Sequence, residues 1–182
     1  PGPELHGLDV LGVPVLGGDD LLPALVQDNS IHFFIGLGGA GNNLPRQRLY
    51  EKALQYNMQP LRVIHPRAII SSTAEIGVGA IIMAGAVVNT CSRLGQNVIV
   101  NTNAVVEHDC MIGDHVHIAP GALLASAVRV EKGAHIGIGA VVRQGLIIGE
   151  KAIIGAGAVV VEDVSPNTVV VGVPARRLHG GE

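Results

Sequence analysis

The chain has 182 residues, with 12 lysines and arginines against 15 aspartates and glutamates, and its formal net charge is -3. This balance gives no attraction to a polyanion, so nucleic acid is not expected as a partner. The residues are 48% apolar but only 2% aromatic, and 25 of them are glycine. A core of Val, Ile, Leu and Ala with so few rings is typical of a repeat architecture.

The apolar stretches and the cysteines bear on the cellular compartment. No apolar run approaches the roughly 18 residues of a membrane-spanning helix, which excludes a membrane domain. The first residues, PGPELHGLDV, lack the basic and apolar regions of a signal peptide. The two cysteines, Cys91 and Cys110, have no CxxC spacing and are interpreted as reduced thiols or small core residues. We therefore expect a cytoplasmic protein.

The N-terminal third of the chain, up to Arg62, has the pattern of a small α/β unit. Three predicted strands alternate with two predicted helices, in the order 13–18, 21–27, 31–39, 46–57 and 61–64. Asn42 and Asn43 are candidates to cap the second helix, whose apolar stripe is predicted to consist of Leu49, Ala53 and Tyr56. The alternation of strands and helices predicts a parallel sheet.

From Ile64 to Ser165 the sequence divides into 17 consecutive hexads without an insertion. The first position is Ile, Val or Leu in all 17, and the fifth is Ala, Ser, Cys or Val in 16 of them, with Leu146 as the exception. A period of six with one large and one small inward residue builds a flat face that turns at its end, and three such faces close a triangular coil. Residues three hexads apart, which is one full coil, therefore stack on one another along the column.

The hexad array resembles the left-handed β-helix of the hexapeptide-repeat acyltransferases. Four segments, residues 100–125 (VNTNAVVEHDCMIGDHVHIAPGALLA), 169–178 (VVVGVPARRL), 41–43 (GNN) and 62–66 (RVIHP), are similar to sialic-acid O-acetyltransferases and UDP-4-amino-sugar N-acetyltransferases. The resemblance implies a homotrimer with acetyl-CoA as co-substrate and no permanently bound cofactor. It implies acetylation of the amino group of a nucleotide-linked 4-amino-sugar in bacterial surface-glycan synthesis, or alternatively of a hydroxyl of sialic acid or a related sugar.

The resemblance also divides the chain. Residues 1–62 correspond to a partial, Rossmann-like α/β nucleotide-sugar-binding domain, 63–165 to the left-handed β-helix, and 166–182 to a tail that closes the helix and the CoA site. Members of this group begin with a strand and a G-x-G-x-x-G/A-type turn that this chain lacks, so the first domain is expected to be partial, through truncation or through loss of that unit. The turn GLGGAG at 36–41 is longer than the one usual at that place.

His108 is the main candidate for chemistry. Acyl transfer needs a base to remove the proton of the nucleophile, and an imidazole, with an ordinary pKa of about 6.5, suits neutral pH. His108 lies at an outward position of its hexad between Glu107 and Asp109, where a solvated surface histidine is the simpler interpretation. By resemblance, His108 is the catalytic general base and Asp109 the acid that modulates it.

Further binding residues follow from the resemblance alone. The acetyl-CoA contacts fall on His117, Ile138, Ala156 and Gly172, and the substrate contacts on Gly41, Asn42 and Asn101. His117 is predicted to lie on a different wall from His108, so that the two could meet only across a subunit boundary. His135 follows His117 by three hexads and is expected to stack on it as part of a polar ladder.

Two other classes of function stay open on the sequence. Histidines at a trimer boundary could bind zinc, as in the β-helical carbonic anhydrases, and His115 and His117 lie two positions apart. Their match to that ligand pattern goes no further, so no metal site is predicted. The chain could also be a non-catalytic β-helical scaffold with a degenerate site, in which case acetyl-CoA would not raise its melting temperature.

Overall fold

The computed structural model describes residues 2–26, 31–39 and 41–178. From residue 63 onward the chain winds through short, parallel strands into a column with three walls, as the hexads predict. Each strand pairs with the strand one coil away, so that His117 lies opposite His135 and Ile118 opposite Ile136. The mainly β fold, a parallel β-solenoid preceded by a small α/β unit, is therefore confirmed.

The three walls are named here in the order in which the chain visits them. Wall I contains the strands Val63–Ile64, Ile81–Ile82, Ile99–Val100, His117–Ile118, His135–Ile136, Ile153–Ile154 and Val169–Val171, with Arg176–Arg177 added in antiparallel fashion. Wall II contains Ile69–Ile70, Val87–Val88, Val105–Val106, Leu123–Leu124, Val141–Val142 and Val159–Val160. Wall III contains Glu75–Ile76, Arg93–Leu94, Met111–Ile112, Arg129–Val130 and Ile147–Ile148.

The interior of the column is filled by the first and fifth residues of each hexad. From Ile82 to Val160 no first-position side chain is more than 5% exposed. Leu146, which breaks the rule of small fifth residues, is buried as well. Ile64, in the first coil, stays exposed because it has a neighbouring coil on one side only. The aliphatic repeats therefore form one continuous core in which each coil is stabilised by the next.

The turns between walls form three edges, named I/II, II/III and III/I. Backbone hydrogen bonds run from coil to coil along every edge, as from Ala127 N–H to the carbonyl of His108 at 2.9 Å. At some turns the coils approach so closely that only glycine fits: a Cβ added to Gly137 would lie 2.5 Å from the carbonyl oxygen of Ile154. Side chains one coil apart are thereby held in register at each edge.

The outer surfaces of the three walls differ. Wall II presents an aliphatic column of exposed and half-buried side chains, formed by Ile69, Val87, Val105, Leu123, Val141 and Val159. Wall III presents charged and apolar side chains, including an ion pair between Arg93 and Glu75 at 3.3 Å. Wall I is covered in part by the N-terminal unit. The three walls thus share one core but differ in the side chains on their outer surfaces.

The N-terminal unit contains little regular structure. Its helices are α1 (Leu22–Leu25) and α2 (Leu44–Gln55), with 3-10 turns at Pro3–Leu5 and Asp19–Leu21. Its strands are Asp9–Val10, Val13–Pro14, His32–Phe33 and Gln59–Pro60. His32–Phe33 pairs in parallel with Gln59–Pro60, which lies just before the predicted strand 61–64, but Val13–Pro14 pairs in an antiparallel hairpin with Asp9–Val10. The end of the predicted helix at residue 27 lies outside the described residues.

Two further sequence predictions for this unit were wrong in part. Of the strand predicted at 61–64, only Val63–Ile64 forms, and it belongs to wall I, where it pairs with Ile81–Ile82. The buried face of α2 consists of Arg46, Tyr50 and Ala53, whereas Leu49 is exposed. The helix packs against both its own strands and the solenoid, so the face that is buried is set by tertiary contacts that no local periodicity records.

Polar and aromatic contacts attach the unit to wall I and edge III/I. The Tyr50 ring meets the His115 ring edge to face, with centroids 5.6 Å apart, and the Tyr50 hydroxyl donates to Gln96 Oε1 at 3.2 Å. Asn43 occupies the N-cap position of α2, but its amide instead donates to the carbonyls of Gly133 and Ala134. Within the described residues, no helix has the length and apolar character needed to cross a membrane.

Candidate active site

His108 and Asp109 occupy the centre of the turn at residues 107–110, on edge II/III. Asp109 adopts a left-handed backbone conformation with φ 62°, which an aspartate tolerates better than most residues. The turn directs both side chains outward, and about half of each is exposed, 49% for His108 and 59% for Asp109. The predicted base and its predicted modulating acid are therefore neighbours in space as well as in sequence.

The imidazole of His108 is held at both of its nitrogens. Its Nδ1 lies 2.7 Å from Oδ2 of Asp109, and its Nε2 lies 2.8 Å from the hydroxyl oxygen of Ser126. Because an ionised carboxylate can only accept a hydrogen bond, Nδ1 carries the proton and the lone pair of Nε2 faces the Ser126 hydroxyl. Nε2 is therefore the atom that can take a proton from a nucleophile. Glu107 accepts a hydrogen bond from the backbone N–H of His108 instead of contacting its ring.

Ser126 was missed by the sequence analysis. It follows His108 by three hexads, so it occupies the same position in the turn one coil further along edge II/III. The backbone hydrogen bond from Ala127 N–H to the His108 carbonyl holds the two turns together. The three-hexad period, which predicted the stacking of His117 and His135, could have found this contact too.

Three of the predicted acetyl-CoA residues lie together on edge I/II. Ile138 and Ala156 occupy equivalent positions in successive turns, one coil apart, and both are exposed, Ile138 by 56%. Gly172 follows the last parallel strand of wall I, and its carbonyl accepts a hydrogen bond from Val159 N–H at 3.0 Å. Together they form a line of small and apolar groups parallel to the column axis.

His117, the fourth predicted acetyl-CoA residue, lies in a strand of wall I and is only 5% exposed. Its Nε2 lies 3.1 Å from the amide nitrogen of Asn101, and its ring contacts that of His135, with centroids 5.0 Å apart. The predicted stacking is confirmed, and His117 and His108 do lie on different parts of the prism. Burial, reinforced by the neighbouring His135, lowers the pKa of His117 to about 4. His117 is therefore neutral at pH 7.

His115 faces away from this pair. Its Nδ1 is 2.9 Å from the amide nitrogen of Asn97, and its ring packs on Tyr50. Burial lowers the pKa of His115, with a further contribution from the charge of Lys132. Among the residues that the structure describes, no three His, Cys, Asp or Glu side chains are grouped as metal ligands. His115 and His117 thus serve separate contacts, although they are close in sequence.

Gly41 and Asn42 lie on the remaining edge, III/I. They line a cavity of about 360 Å³ at the N-terminus of α2, together with Lys151 and Asn167. The side-chain oxygen of Asn42 accepts a hydrogen bond from the backbone N–H of Leu44 at 3.0 Å, so Asn42 supplies the capping contact that Asn43 does not. Asn101, predicted to bind substrate as they do, lies instead on edge I/II beside His117.

The predicted site residues of one chain are therefore distributed over three edges. His108 and Asp109 lie on edge II/III, the line from Ile138 to Gly172 on edge I/II, and Gly41 and Asn42 on edge III/I. The body of the column separates these groups within a subunit.

The two cysteines are free thiols with different surroundings. Cys91 is exposed on edge II/III, one coil before Asp109, whereas Cys110 fills a fifth position of the core. Burial raises the pKa of Cys110 to about 11, so its thiol stays protonated. The core position of Cys110 agrees with its interpretation as a small core residue.

Comparisons with known proteins agree with this architecture. The family profile described as Bacterial transferase hexapeptide (six repeats) matches residues 91–126, which include His108, Asp109 and Ser126. A search among curated proteins gave no match. Many solved structures match this chain.

PerB from Caulobacter crescentus, solved in complex with CoA and GDP-perosamine, is 40% identical, with 93% of this chain and 81% of PerB covered at a TM-score of 0.89. A variant of perosamine N-acetyltransferase from the same organism, with the same two ligands, is 38% identical, with 94% of this chain and 80% of the variant covered at 0.88. The acetyltransferase domain of PglB from Neisseria gonorrhoeae FA1090, in complex with acetyl coenzyme A, is 39% identical, with 93% of this chain and 81% of the domain covered at 0.86. The resemblance seen in the hexads is thus confirmed, and this chain belongs to the hexapeptide-repeat acetyltransferases.

Proposed function

We propose that this protein transfers the acetyl group of acetyl-CoA to the amino group of a nucleotide-linked 4-amino-sugar. Its similarity to enzymes solved with CoA, acetyl-CoA and GDP-perosamine supports both substrate classes. The observation that carries the proposal is the half-exposed His108 ring, which is fixed by Asp109 at Nδ1, so that the unprotonated Nε2 can accept a proton.

The proposed reaction is a direct acyl transfer. The neutral amine attacks the thioester carbonyl, and His108 Nε2 takes the proton that the nitrogen loses. Asp109 stabilises the imidazolium that forms, since its carboxylate already contacts Nδ1 at 2.7 Å. The C–S bond then breaks, and the CoA sulfur receives the proton from His108, which restores the neutral ring.

We infer further that the active form is a homotrimer. The aliphatic outer column of wall II, from Ile69 to Val159, is an apolar surface that a neighbouring subunit would bury. A threefold arrangement also brings edge II/III of one subunit beside edge I/II of the next. His108 and Asp109 would then face the line from Ile138 to Gly172, which would hold the pantetheine arm of acetyl-CoA, with His117 and Asn101 beside it.

The N-terminal unit, residues 1–62, is proposed to hold the nucleotide-sugar, with Gly41 and Asn42 in contact with it. The tail from residue 166 would complete the acetyl-CoA cleft, since its first strand, Val169–Val171, extends wall I. We further propose that the reaction takes place in the cytoplasm and serves bacterial surface-glycan synthesis, because nucleotide-linked amino-sugars are precursors of such glycans.

An acceptor panel tests this proposal. Purified protein is incubated with acetyl-CoA and GDP-, UDP- or dTDP-linked 4-amino-sugars, or with free sialic acid, and CoA release is followed together with the mass of the sugar. The proposal expects an acetylated 4-amino-sugar nucleotide from at least one acceptor. Acetylation of sialic acid alone would replace it by the O-acetyltransferase alternative. No acetylated product, together with no thermal stabilisation by acetyl-CoA, would support a non-catalytic scaffold.

A further inference from the structure

Ser126 makes a contact with the proposed base that the transfer reaction does not require. Its hydroxyl oxygen lies 2.8 Å from Nε2 of His108, whose Nδ1 lies 2.7 Å from Asp109. A carboxylate, an imidazole and a hydroxyl thus form one continuous hydrogen-bonded series. Ser126 is half-buried, and the stacked turns of edge II/III hold it in register with His108.

The protonation states make Ser126 the donor in this contact. Nδ1 of His108 donates its hydrogen bond to the Asp109 carboxylate, so Nε2 can only accept, and the proton of the Ser126 hydroxyl points at it. A hydroxyl that donates to a carboxylate-oriented imidazole is an activated nucleophile. Thr90, one coil earlier than His108 on the same edge, bonds instead to Thr73 at 2.6 Å.

The position of the hydroxyl matters as much as its activation. If the proposed function is correct, the nucleophilic atom of the acceptor must lie within hydrogen-bond distance of Nε2 when it attacks the thioester. The Ser126 oxygen already occupies such a place. A thioester carbonyl positioned for attack by the acceptor is therefore also within reach of Ser126 whenever no acceptor is bound.

We propose that Ser126 accepts the acetyl group from acetyl-CoA in the absence of a sugar acceptor, and so gives the protein an acetyl-CoA hydrolase activity. This inference rests on the proposed function. The Ser126 oxygen attacks the thioester carbonyl, its proton passes to His108 Nε2, the C–S bond breaks, and the CoA sulfur takes that proton. Water, deprotonated by His108, then attacks the acetyl-serine ester, and the same proton passes from His108 to the serine oxygen as acetate leaves.

The test uses the full chain with acetyl-CoA and no acceptor. CoA release is followed with a thiol reagent, and samples quenched in acid are analysed by intact and peptide mass spectrometry. We expect slow, continuous CoA release and a mass gain of one acetyl group on the peptide that contains Ser126. In Ser126→Ala the acetylated peptide is lost and CoA release without acceptor falls at least about tenfold. His108→Ala loses both signals.

Ser72→Ala is the matched control, because Ser72 occupies the same turn position three coils earlier on edge II/III. It should release CoA and carry the acetyl group on Ser126 as the unmodified chain does. If CoA release in Ser126→Ala equals that of the unmodified chain, or if the unmodified chain neither releases CoA nor carries acetyl-serine while it still acetylates a sugar, the inference is wrong and the proposed function stands. If no acceptor is acetylated either, the proposed function itself has failed.

Discussion

The histidines on edge II/III and in wall I belong to the same repeat but have opposite surroundings. His108 sits in a turn with half of its side chain exposed, between a carboxylate and a hydroxyl. His117 and His135 lie in strands, stacked on each other and covered by the N-terminal unit, and burial lowers the pKa of both. The difference follows from what packs outside each histidine: the turn at His108 stays half-exposed, whereas wall I is covered in part by the N-terminal unit.

This comparison separates the residue proposed to take part in the reaction, His108, from the pair that lies beneath the N-terminal unit, His117 and His135. The His108 side chain is half-exposed and fills no part of the core, so it can act as a base without a cost to folding. The buried His117 and His135 contribute to stability only while both rings are uncharged. We therefore expect changes at His108 to affect turnover and changes in the wall I pair to affect folding and its pH dependence. The four predictions that follow test this division.

Replacing the exposed histidine should have the largest effect. His108→Ala is expected to lower kcat by at least about a hundredfold, because the general base is lost, while the melting temperature stays close to that of the unmodified protein. CoA release with the best acceptor and thermal unfolding measure the two quantities. Near-normal turnover in this variant would remove His108 as the base.

The buried histidine pair should make the free energy of unfolding depend on pH. Because the pKa of His117 is about 4 in the folded protein and 6.5 is its ordinary value, the unfolded chain binds a proton more readily between these pH values. The contribution of neutral His117 to the free energy of unfolding is fully present above pH 6.5. It decreases as the pH falls toward 4, by about 3 kcal/mol in total.

Denaturant unfolding at several pH values and one protein concentration measures this effect. His117→Gln, which cannot titrate, should show a smaller loss of unfolding free energy between pH 6.5 and 4. His65→Gln removes an exposed histidine of the first coil and serves as the control. An equally steep pH dependence in His117→Gln and in the unmodified chain would contradict the assignment.

Changing the carboxylate beside His108 should have an intermediate effect. Asp109→Asn keeps a side chain that tolerates the left-handed backbone of this turn but removes the negative charge that stabilises the imidazolium. We expect kcat to fall by about ten- to a hundredfold, and the pH at which activity reaches half its maximum to shift. An unchanged pH profile of kcat would show that Asp109 does not act through His108.

The contact that covers the buried pair should give the smallest effect. Asn43→Ala removes two hydrogen bonds, at 2.9 Å to the carbonyl of Ala134 and 3.2 Å to that of Gly133. We expect a loss of about 1 to 2 kcal/mol and faster hydrogen exchange of α2 than of the solenoid strands. Arg48→Ala, on the exposed face of the same helix, is the control. Equal exchange in both variants would argue against Asn43 as an attachment point.

The solenoid could be predicted from the sequence because every coil repeats the same local rule. The first and fifth residues of each hexad face inward, and a period of six that continues from Ile64 to Ser165 predicts a coil with three walls. The same rule gives the stacking of His117 on His135. It also predicts that Ser126 stacks on His108, since the two are one coil apart, but nothing in the sequence singles out this serine among the polar residues of the turns.

The N-terminal unit could be predicted only in part, because its residues pack on a surface that is distant in sequence. Tyr50 is buried against His115, a residue of the solenoid, so α2 turns a different face inward from the one its apolar pattern indicates. Asn43 occupies the expected cap position, yet its side chain bonds to the carbonyls of Gly133 and Ala134. Such contacts form only when the N-terminal unit packs on the solenoid, so the sequence around Tyr50 and Asn43 does not indicate them.

Complementation between two inactive variants tests most directly the claim that the active site is assembled from two subunits. His108→Ala removes the base on edge II/III, and Ala156→Trp blocks the acetyl-CoA line on edge I/II, while light scattering must show that each variant still forms trimers. When equal amounts are unfolded together and refolded, each mixed trimer contains one intact site, so about one quarter of the unmodified activity should return. If the refolded mixture contains mixed trimers but stays inactive, both edges must be intact in the same chain, and the claim is contradicted.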